Sequence, residues 1–376
     1  MATDPGSVPI DRVNAAAALA GHDPRGARLL ASYARDSSFP VQLRIAAAGH
    51  LAHVGRAAGI ALLIPFAGDT ASRYCSHAAA RLAEHDTPAG VARLRSLVAD
   101  PHCPDLAKVE AAVVLSGHDR AAGTEWLGRF AADSRVFADC RVYAADALAA
   151  AADGDQQTRA TATMLLERIA GDTRVDTGYR VEAAHRLARY DTDVGAAILR
   201  DLACGSLPAR YRCDAAVLLA RHDREAGVRI LDEMTRAAGG TPEHRVRAAD
   251  ELAHYAPAEG DARLAALAGE PGWDDGPRIE AAFRLARRNR EAGLPLLRAY
   301  ATELTGEARV TGASALARVD RAEGLELLRE MAESPGSDRS VRVRAARAIG
   351  TFDAELRDAT LRRLGVDIQP GGWFRM

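Results

Sequence analysis

The chain has 376 residues, of which 48% are hydrophobic and only 5% aromatic, with 49 basic against 51 acidic side chains and a formal net charge of −2. That length exceeds what one compact core usually reaches, so two domains or an open repeat array are expected. The balanced charge argues against a global field toward nucleic acid or anionic membrane, and so few aromatics imply helices packed through Ala, Leu and Val.

The first ten residues, MATDPGSVPI, read as a leader without the apolar stretch of a secretion signal. From residue 11 the chain repeats itself. Each unit has an anchor, usually Leu, with Ala-Ala three and four residues before it. The anchors fall at Leu19, Leu51, Leu82, Leu115, Leu148, Leu187, Leu219, Leu252, Leu285, Leu316 and Ile349, and only Gly312-Ala313 departs from Ala-Ala. Steps are 31 to 33 residues, with one of 39 between Leu148 and Leu187. The unit reads R-[VI]-x-A-A-x-x-L-A-x-x-D-x-x-x-G, followed by a second apolar stretch. Both halves place their apolar residues on one side of a helix of 3.6 residues per turn. Two short amphipathic helices cannot bury their faces alone, whereas stacked units can. The expected fold is all-α: a single α-solenoid of about eleven two-helix units, period about 33, making an arc on the order of 100 Å. Its expected parts are a leader (1–10), N-terminal repeats (11–150), an irregular insertion (151–179), C-terminal repeats (180–360) and a cap (361–376).

Three positions recur within the unit. An Asp or Asn lies four after the anchor (Asp23, Asp86, Asp119, Asp191, Asp223, Asn289, Asp320, Asp353) and suits an N-cap of the second helix. The residue before it is His, Tyr, Val or Phe at every one of these except Asn289, so pairs such as His222-Asp223 read as packing plus capping, not proton transfer. A Gly lies eight after the anchor in Gly59, Gly90, Gly123, Gly195, Gly227, Gly260, Gly293 and Gly324, where a Cβ is expected to meet the neighbouring helix. A basic residue lies seven before the anchor, often with an acid eight residues earlier. Asp36/Arg44, Asp100/Lys108, Asp133/Arg141, Asp172/Arg180 and Glu270/Arg278 are expected to form loop-bracing ion pairs.

The pattern VR-x-x-AA-x-x-LA-x-x-x-D-x-x-AG-x-x-x-L resembles HEAT repeats, and more closely the short HEAT-like repeats of phycobilin lyases, over about residues 8 to 360. The resemblance implies the solenoid. For function it admits scaffolds, regulators, a few lyases and a few DNA glycosylases.

Function in such an array belongs on the exposed ridge of the first helix. Positions five before and two after the anchor lie farthest from the core. The second of these rows is basic from Arg189 through Arg221, His254, Arg287 and Arg318. It reads either as a track for an acidic peptide, phosphates or nucleic acid, or as a solvated face neutralised by the acids of the other row, with Glu182→Arg186 and Glu280→Arg284 in the favourable order. Trp273, in the loop EPGWDDGPR, is a candidate contact, with packing on an adjacent loop as the alternative. Trp126 is expected in the core, and Trp373 and Phe374 are expected to cover the end of the stack. His50, His53 and His77 form no recognisable ligand spacing, so no metal is expected. The five cysteines are scattered without a C-x-x-C pair and read as reduced thiols of a cytoplasmic protein. No membrane span and no cofactor are expected, and the standard nucleotide, zincin and hydrolase motifs are absent. The favoured reading is a non-catalytic scaffold for a protein or acidic peptide. The alternatives are a HEAT-like enzyme of the lyase or DNA glycosylase type with dispersed residues, and a nucleic-acid-binding array, which the net charge disfavours.

Overall fold

The computed structural model describes residues 7–237 and 240–366. Among these residues the chain forms 22 α-helices and no strand, an arrangement consistent with a repeat fold of the α-solenoid type. The helices are α1 (Pro9–Ala20), α2 (Pro24–Arg35), α3 (Val41–Val54), α4 (Arg56–Gly68), α5 (Cys75–His85), α6 (Thr87–Ala99), α7 (Asp105–His118), α8 (Arg120–Ala132), α9 (Ala138–Ala151), α10 (Gln156–Gly171) and α11 (Thr177–Ala188). They continue as α12 (Thr192–Cys204), α13 (Ala209–His222), α14 (Arg224–Arg236), α15 (Pro242–Tyr255), α16 (Pro257–Ala268), α17 (Asp275–Arg288), α18 (Arg290–Glu303), α19 (Gly306–Val319), α20 (Arg321–Glu333), α21 (Arg339–Ile349) and α22 (Ala354–Arg363). None of them is long and apolar enough to cross a membrane.

The chain divides into two compact units, 1–198 and 199–376, the boundary falling inside α12. In the first unit each of α1 to α10 packs on its successor, and in the second each of α13 to α21 does so. Odd-numbered helices also touch the next odd-numbered helix at every step within a unit, whereas even-numbered helices rarely meet. The odd-numbered layer is therefore the tighter one in each unit.

Local chemistry explains the sharp corner between an odd helix and the even helix after it. All eight recurring Asp and Asn side chains accept a backbone N–H at the start of the even helix, as Asp223 does from Ala226 at 3.0 Å and Asn289 from Ala292 at 3.1 Å. Each satisfies a donor that the first helical turn leaves without a partner. The glycine four residues further on lets the even helix lie against the odd one. A Cβ on Gly59 would sit 2.3 Å from the Ala52 nitrogen, and one on Gly260 would sit 2.3 Å from Ala253 Cα, distances that only glycine avoids. From Ala47-Ala48 onward the Ala-Ala pairs lie in the fully buried seam, beside anchors that are buried from Leu51 onward.

The longer loops are braced differently from the sequence expectation. The recurring arginine donates Nε to a carbonyl at the end of the preceding even helix: Arg44 to Ala34 O (3.2 Å), Arg180 to Ala170 O (3.0 Å), Arg245 to Thr235 O (2.7 Å) and Arg342 to Ala332 O (3.1 Å). Arg141, Arg212, Arg278 and Arg309 do the same. The acids expected to pair with them turn inward on their own loops. Asp36 accepts Ser38 N–H, Asp100 accepts His102 N–H, and Asp133 and Asp172 bind Arg135 and Arg174 through both backbone and side chain. Lys108 pairs with Asp105, and Glu270 with Arg245. The physical reason is that the last carbonyls of a helix lack donors, and a guanidinium reaching back supplies one. The irregular segment 151–179 holds the 16-residue α10, entered through a turn with Asp153 at φ 41° and Gly154 at φ 92°.

Candidate functional site

Four pairs of consecutive odd helices, α9–α11, α13–α15, α15–α17 and α19–α21, are tied side to side by arginine–carboxylate contacts. In unit 1 the contact centres on Asp146 of α9, whose side chain is 13% exposed. It accepts Arg186 Nη1 at 2.7 Å, Arg189 Nη1 at 3.2 Å and the Tyr190 hydroxyl at 2.8 Å. Arg186 also binds Glu182 at 2.6 Å, and that hydrogen bond leads in raising the guanidinium pKa. Burial first, then the bond to Asp146, pushes the Tyr190 phenol up to about 12. Every cation of this cluster has a carboxylate. Arg189, the first member of the basic row, is thus committed within the fold.

The other members of the row lie in unit 2, where the arrangement is open. Asp250 of α15 accepts Arg284 Nη1 of α17 at 2.7 Å, and Arg284 Nε binds Glu280 at 2.7 Å. His254 Nδ1 lies 2.9 Å from the Asp250 carbonyl oxygen, and Arg288 donates to the Ala253 carbonyl. Arg287 reaches no carboxylate among the described residues; its guanidinium lies 5.9 Å from the ring centroid of Phe283. Arg318 of α19 covers the same ring at 4.0 Å and likewise has no ion-pair partner among the described residues. Arg221 of α13 is exposed and makes neither a hydrogen bond nor an ion pair among the described residues. Asp250, His254, Arg284, Arg287 and Arg288 line a cleft of about 460 Å³. A planar guanidinium held on an aromatic face and lacking a counter-ion is poised to take a carboxylate or phosphate by two parallel hydrogen bonds.

Unit 1 presents a different surface on α3, α5, α7 and α9. A cleft of about 310 Å³ is lined by Ile45, Ala46, Ala80, Tyr74, His77 and Glu84 with Gln42 and Arg81. Beside it, Val113, Val114, Tyr143 and Glu110 line a smaller cleft that shares His77 and Ala80. Glu110 accepts the buried Ser76 hydroxyl at 2.6 Å and lies 3.6 Å from His77 Nδ1. At the ends of α3 and α5, His53 and His85 meet edge to face with centroids 4.5 Å apart. Burial, ahead of the charge on His53, lowers the pKa of His85. All five cysteines are free thiols, and Cys75 Sγ and Cys103 Sγ lie 3.7 Å apart.

Several sequence expectations are relocated. His77 faces Glu110 of the next odd helix, while His53 meets Glu84 and His85, so the three histidines do not gather as one set. Trp273 is half-buried against the core with Arg245 over its ring at 4.8 Å. Trp126 is only half-buried, stacked on Phe130 at 5.5 Å beneath Arg129, because it lies on the rim of α8 rather than on its inward face. The carboxylate of Asp223 accepts Ala226 N–H at 3.0 Å, the capping contact, and Arg200 Nη2 at 3.0 Å. Trp373 and Phe374 lie outside the described residues. The sequence reading missed Phe283, whose signal was an aromatic two residues before an anchor otherwise flanked by small and polar residues.

No protein-family model matches the chain, and no curated protein does. Among solved structures the chain is similar to human deoxyhypusine hydroxylase in complex with glycerol, at 18% identity over 79% of this chain and 96% of that one, with a TM-score of 0.26. A likeness of that size carries no argument about activity or site residues.

Proposed function

We propose that the chain is a binding scaffold: about eleven HEAT-like two-helix repeats of about 33 residues that hold an acidic peptide or acidic protein surface on the odd-numbered layer. The observation that carries this reading is the pair Arg287 and Arg318, set on one Phe283 ring without a carboxylate, beside a cleft of about 460 Å³. Other guanidiniums of the same layer have carboxylates, as Arg186 and Arg189 have Asp146 and Arg247 has Asp214. Leaving two cations uncompensated on adjacent repeats adds nothing to folding, whereas it gives an incoming carboxylate charge-assisted donors in place of water. Arg221 extends the cationic track by a further repeat.

The test is titration of a labelled Glu-Ala repeat peptide into the full chain by fluorescence anisotropy, with a Lys-Ala peptide as control. The acidic peptide should bind, more weakly as salt rises. Arg221→Glu, Arg287→Glu and Arg318→Glu combined should weaken it at least about tenfold, since each exposed charged contact contributes up to about 1 kcal/mol. Equal binding by the triple variant, or equal binding of the Lys-Ala peptide, would remove the basis for this reading.

A further inference from the structure

A second site lies in unit 1, on residues the acidic-peptide reading does not use. The last turns of α3 and α5 bring His53, Glu84 and His85 together. One ligand atom from each can be chosen so that all three lie within 4.8 Å of one another. His85 Nε2 is buried and has no hydrogen-bond partner, although a buried imidazole nitrogen ordinarily finds one. Both helices end here, so the partial negative charge of two carboxyl-terminal turns favours a cation at this point. Glu84 accepts Arg81 Nη1 of its own helix through both carboxylate oxygens, at 3.2 and 3.0 Å, an exposed contact that a bound cation would have to share or displace.

We propose that His53, Glu84 and His85 form a binding site for a divalent cation of the zinc class. The donor set decides the class. Two imidazole nitrogens and one carboxylate suit zinc, whereas calcium and magnesium ask for six or more oxygen ligands. A tetrahedral zinc ion with bonds of about 2.0–2.2 Å would draw the ligand atoms to about 3.3 Å apart. His53 and Glu84 are exposed and sit at helix ends, so their side-chain torsions are the freedom by which that gap would close. His85 is the fixed element. With three protein ligands the fourth position is left to solvent, the arrangement of an open rather than a closed site. A bound ion would also join two successive odd helices at the end where no arginine–carboxylate contact joins them.

The experiment uses the full chain stripped of metal with a chelator. Zn²⁺ is titrated calorimetrically, and Co²⁺ is followed by its visible ligand-field bands. The expected result is one Zn²⁺ per chain and tetrahedral cobalt bands without sulfur-to-cobalt charge transfer. His53→Ala and Glu84→Gln, both at exposed positions, should each weaken binding at least about tenfold, because even the loss of a supporting partner to a metal ligand costs about 10–100-fold. His77→Ala should leave it unchanged. The assignment is overturned if Zn²⁺ does not bind, if both ligand variants keep full affinity, if His77→Ala abolishes binding, or if a sulfur-to-cobalt band places the ion on Cys75 and Cys103.

Discussion

Residues 183–191, Ala-Ala-His-Arg-Leu-Ala-Arg-Tyr-Asp, and residues 281–289, Ala-Ala-Phe-Arg-Leu-Ala-Arg-Arg-Asn, are nearly the same sequence with opposite surface chemistry. Each follows an odd helix that carries Ala-Ala-Asp-x-Leu-Ala, with Asp146 in one case and Asp250 in the other. In both, the arginine just before the anchor reaches that aspartate at 2.7 Å. The arginine three residues later behaves differently. Arg189 joins Asp146, drawn in beside the Tyr190 hydroxyl, whereas Arg287 turns onto Phe283 and stays without a carboxylate. At position 288 an arginine replaces the tyrosine and goes to a backbone carbonyl, and at position 283 a phenylalanine replaces the histidine and offers a ring. Two of the three differences between these segments, at positions 283 and 288, thus accompany the change from a neutralised contact to a cationic cleft.

The largest expected effect breaks the open site at its centre. Phe283 is buried, so Phe283→Ala should cost about 3–5 kcal/mol in a urea denaturation experiment. Phe283→Leu keeps an apolar side chain of similar size and should cost about 1.5 kcal/mol or less. It removes the ring beneath Arg287 and Arg318, and acidic-peptide affinity should fall about two- to fivefold, the equivalent of 0.5–1 kcal/mol. An affinity unchanged in Phe283→Leu would show that the ring does not position these arginines for binding.

A smaller effect is expected at the closed site. Asp146→Asn takes the carboxylate from two guanidiniums and a phenol at a position where its own side chain is 13% exposed, and should cost about 2 kcal/mol. Asp250→Asn should cost about 1 kcal/mol, because Arg284 keeps Glu280 and Arg287 was never attached. Paired urea midpoints measure the difference. Equal losses would mean that the two aspartates carry equivalent networks, and the contrast between the sites would fail. Asp146→Asn also releases Arg189, so weak acidic-peptide binding should appear on unit 1 of that variant.

What could be read from sequence followed from how local each interaction is. The N-cap aspartates and the recurring glycines were legible because cap and capped turn lie within four residues, and because glycine costs a helix enough that its repetition needs a steric cause. The looping arginines were assigned the wrong partner. Their acceptor is a backbone carbonyl, which every residue has and no residue type announces. The basic row was visible as a row, yet whether a member is neutralised depends on a side chain about 40 residues away, as Arg189 depends on Asp146. The same holds for the histidines. His53 and Glu84 stand next to each other in the row two after the anchor, at Leu51 and Leu82, but that row was read for its charge, and the histidines were grouped by residue type as His50, His53 and His77.

The smallest expected effect separates the two units by pH. The loops after α2, α6, α8 and α10, all in unit 1, begin with Asp36, Asp100, Asp133 and Asp172, each held below its ordinary value near 3.8. For Asp133 and Asp172 the side-chain hydrogen bond from Arg135 or Arg174, followed by the backbone N–H of the same residue, brings the carboxyl to about 2. The corresponding helices of unit 2, α14, α16, α18 and α20, are followed by Ala237, Gly269, Leu304 and Ser334, which do not titrate. A carboxyl whose folded-state pKa is depressed stabilises the fold fully above its unfolded value. Between that value and about 2 the unfolded chain binds more protons, so stability falls as pH falls through this window. Asp133→Asn with Asp172→Asn should therefore flatten the decline of the urea midpoint between about pH 4 and 2. The change should be modest and smaller at high salt, since these loop pairs are solvent-exposed and screened. An unaltered slope would show that these two carboxyls do not carry the acid sensitivity and would leave the two units without an electrostatic difference in their loops.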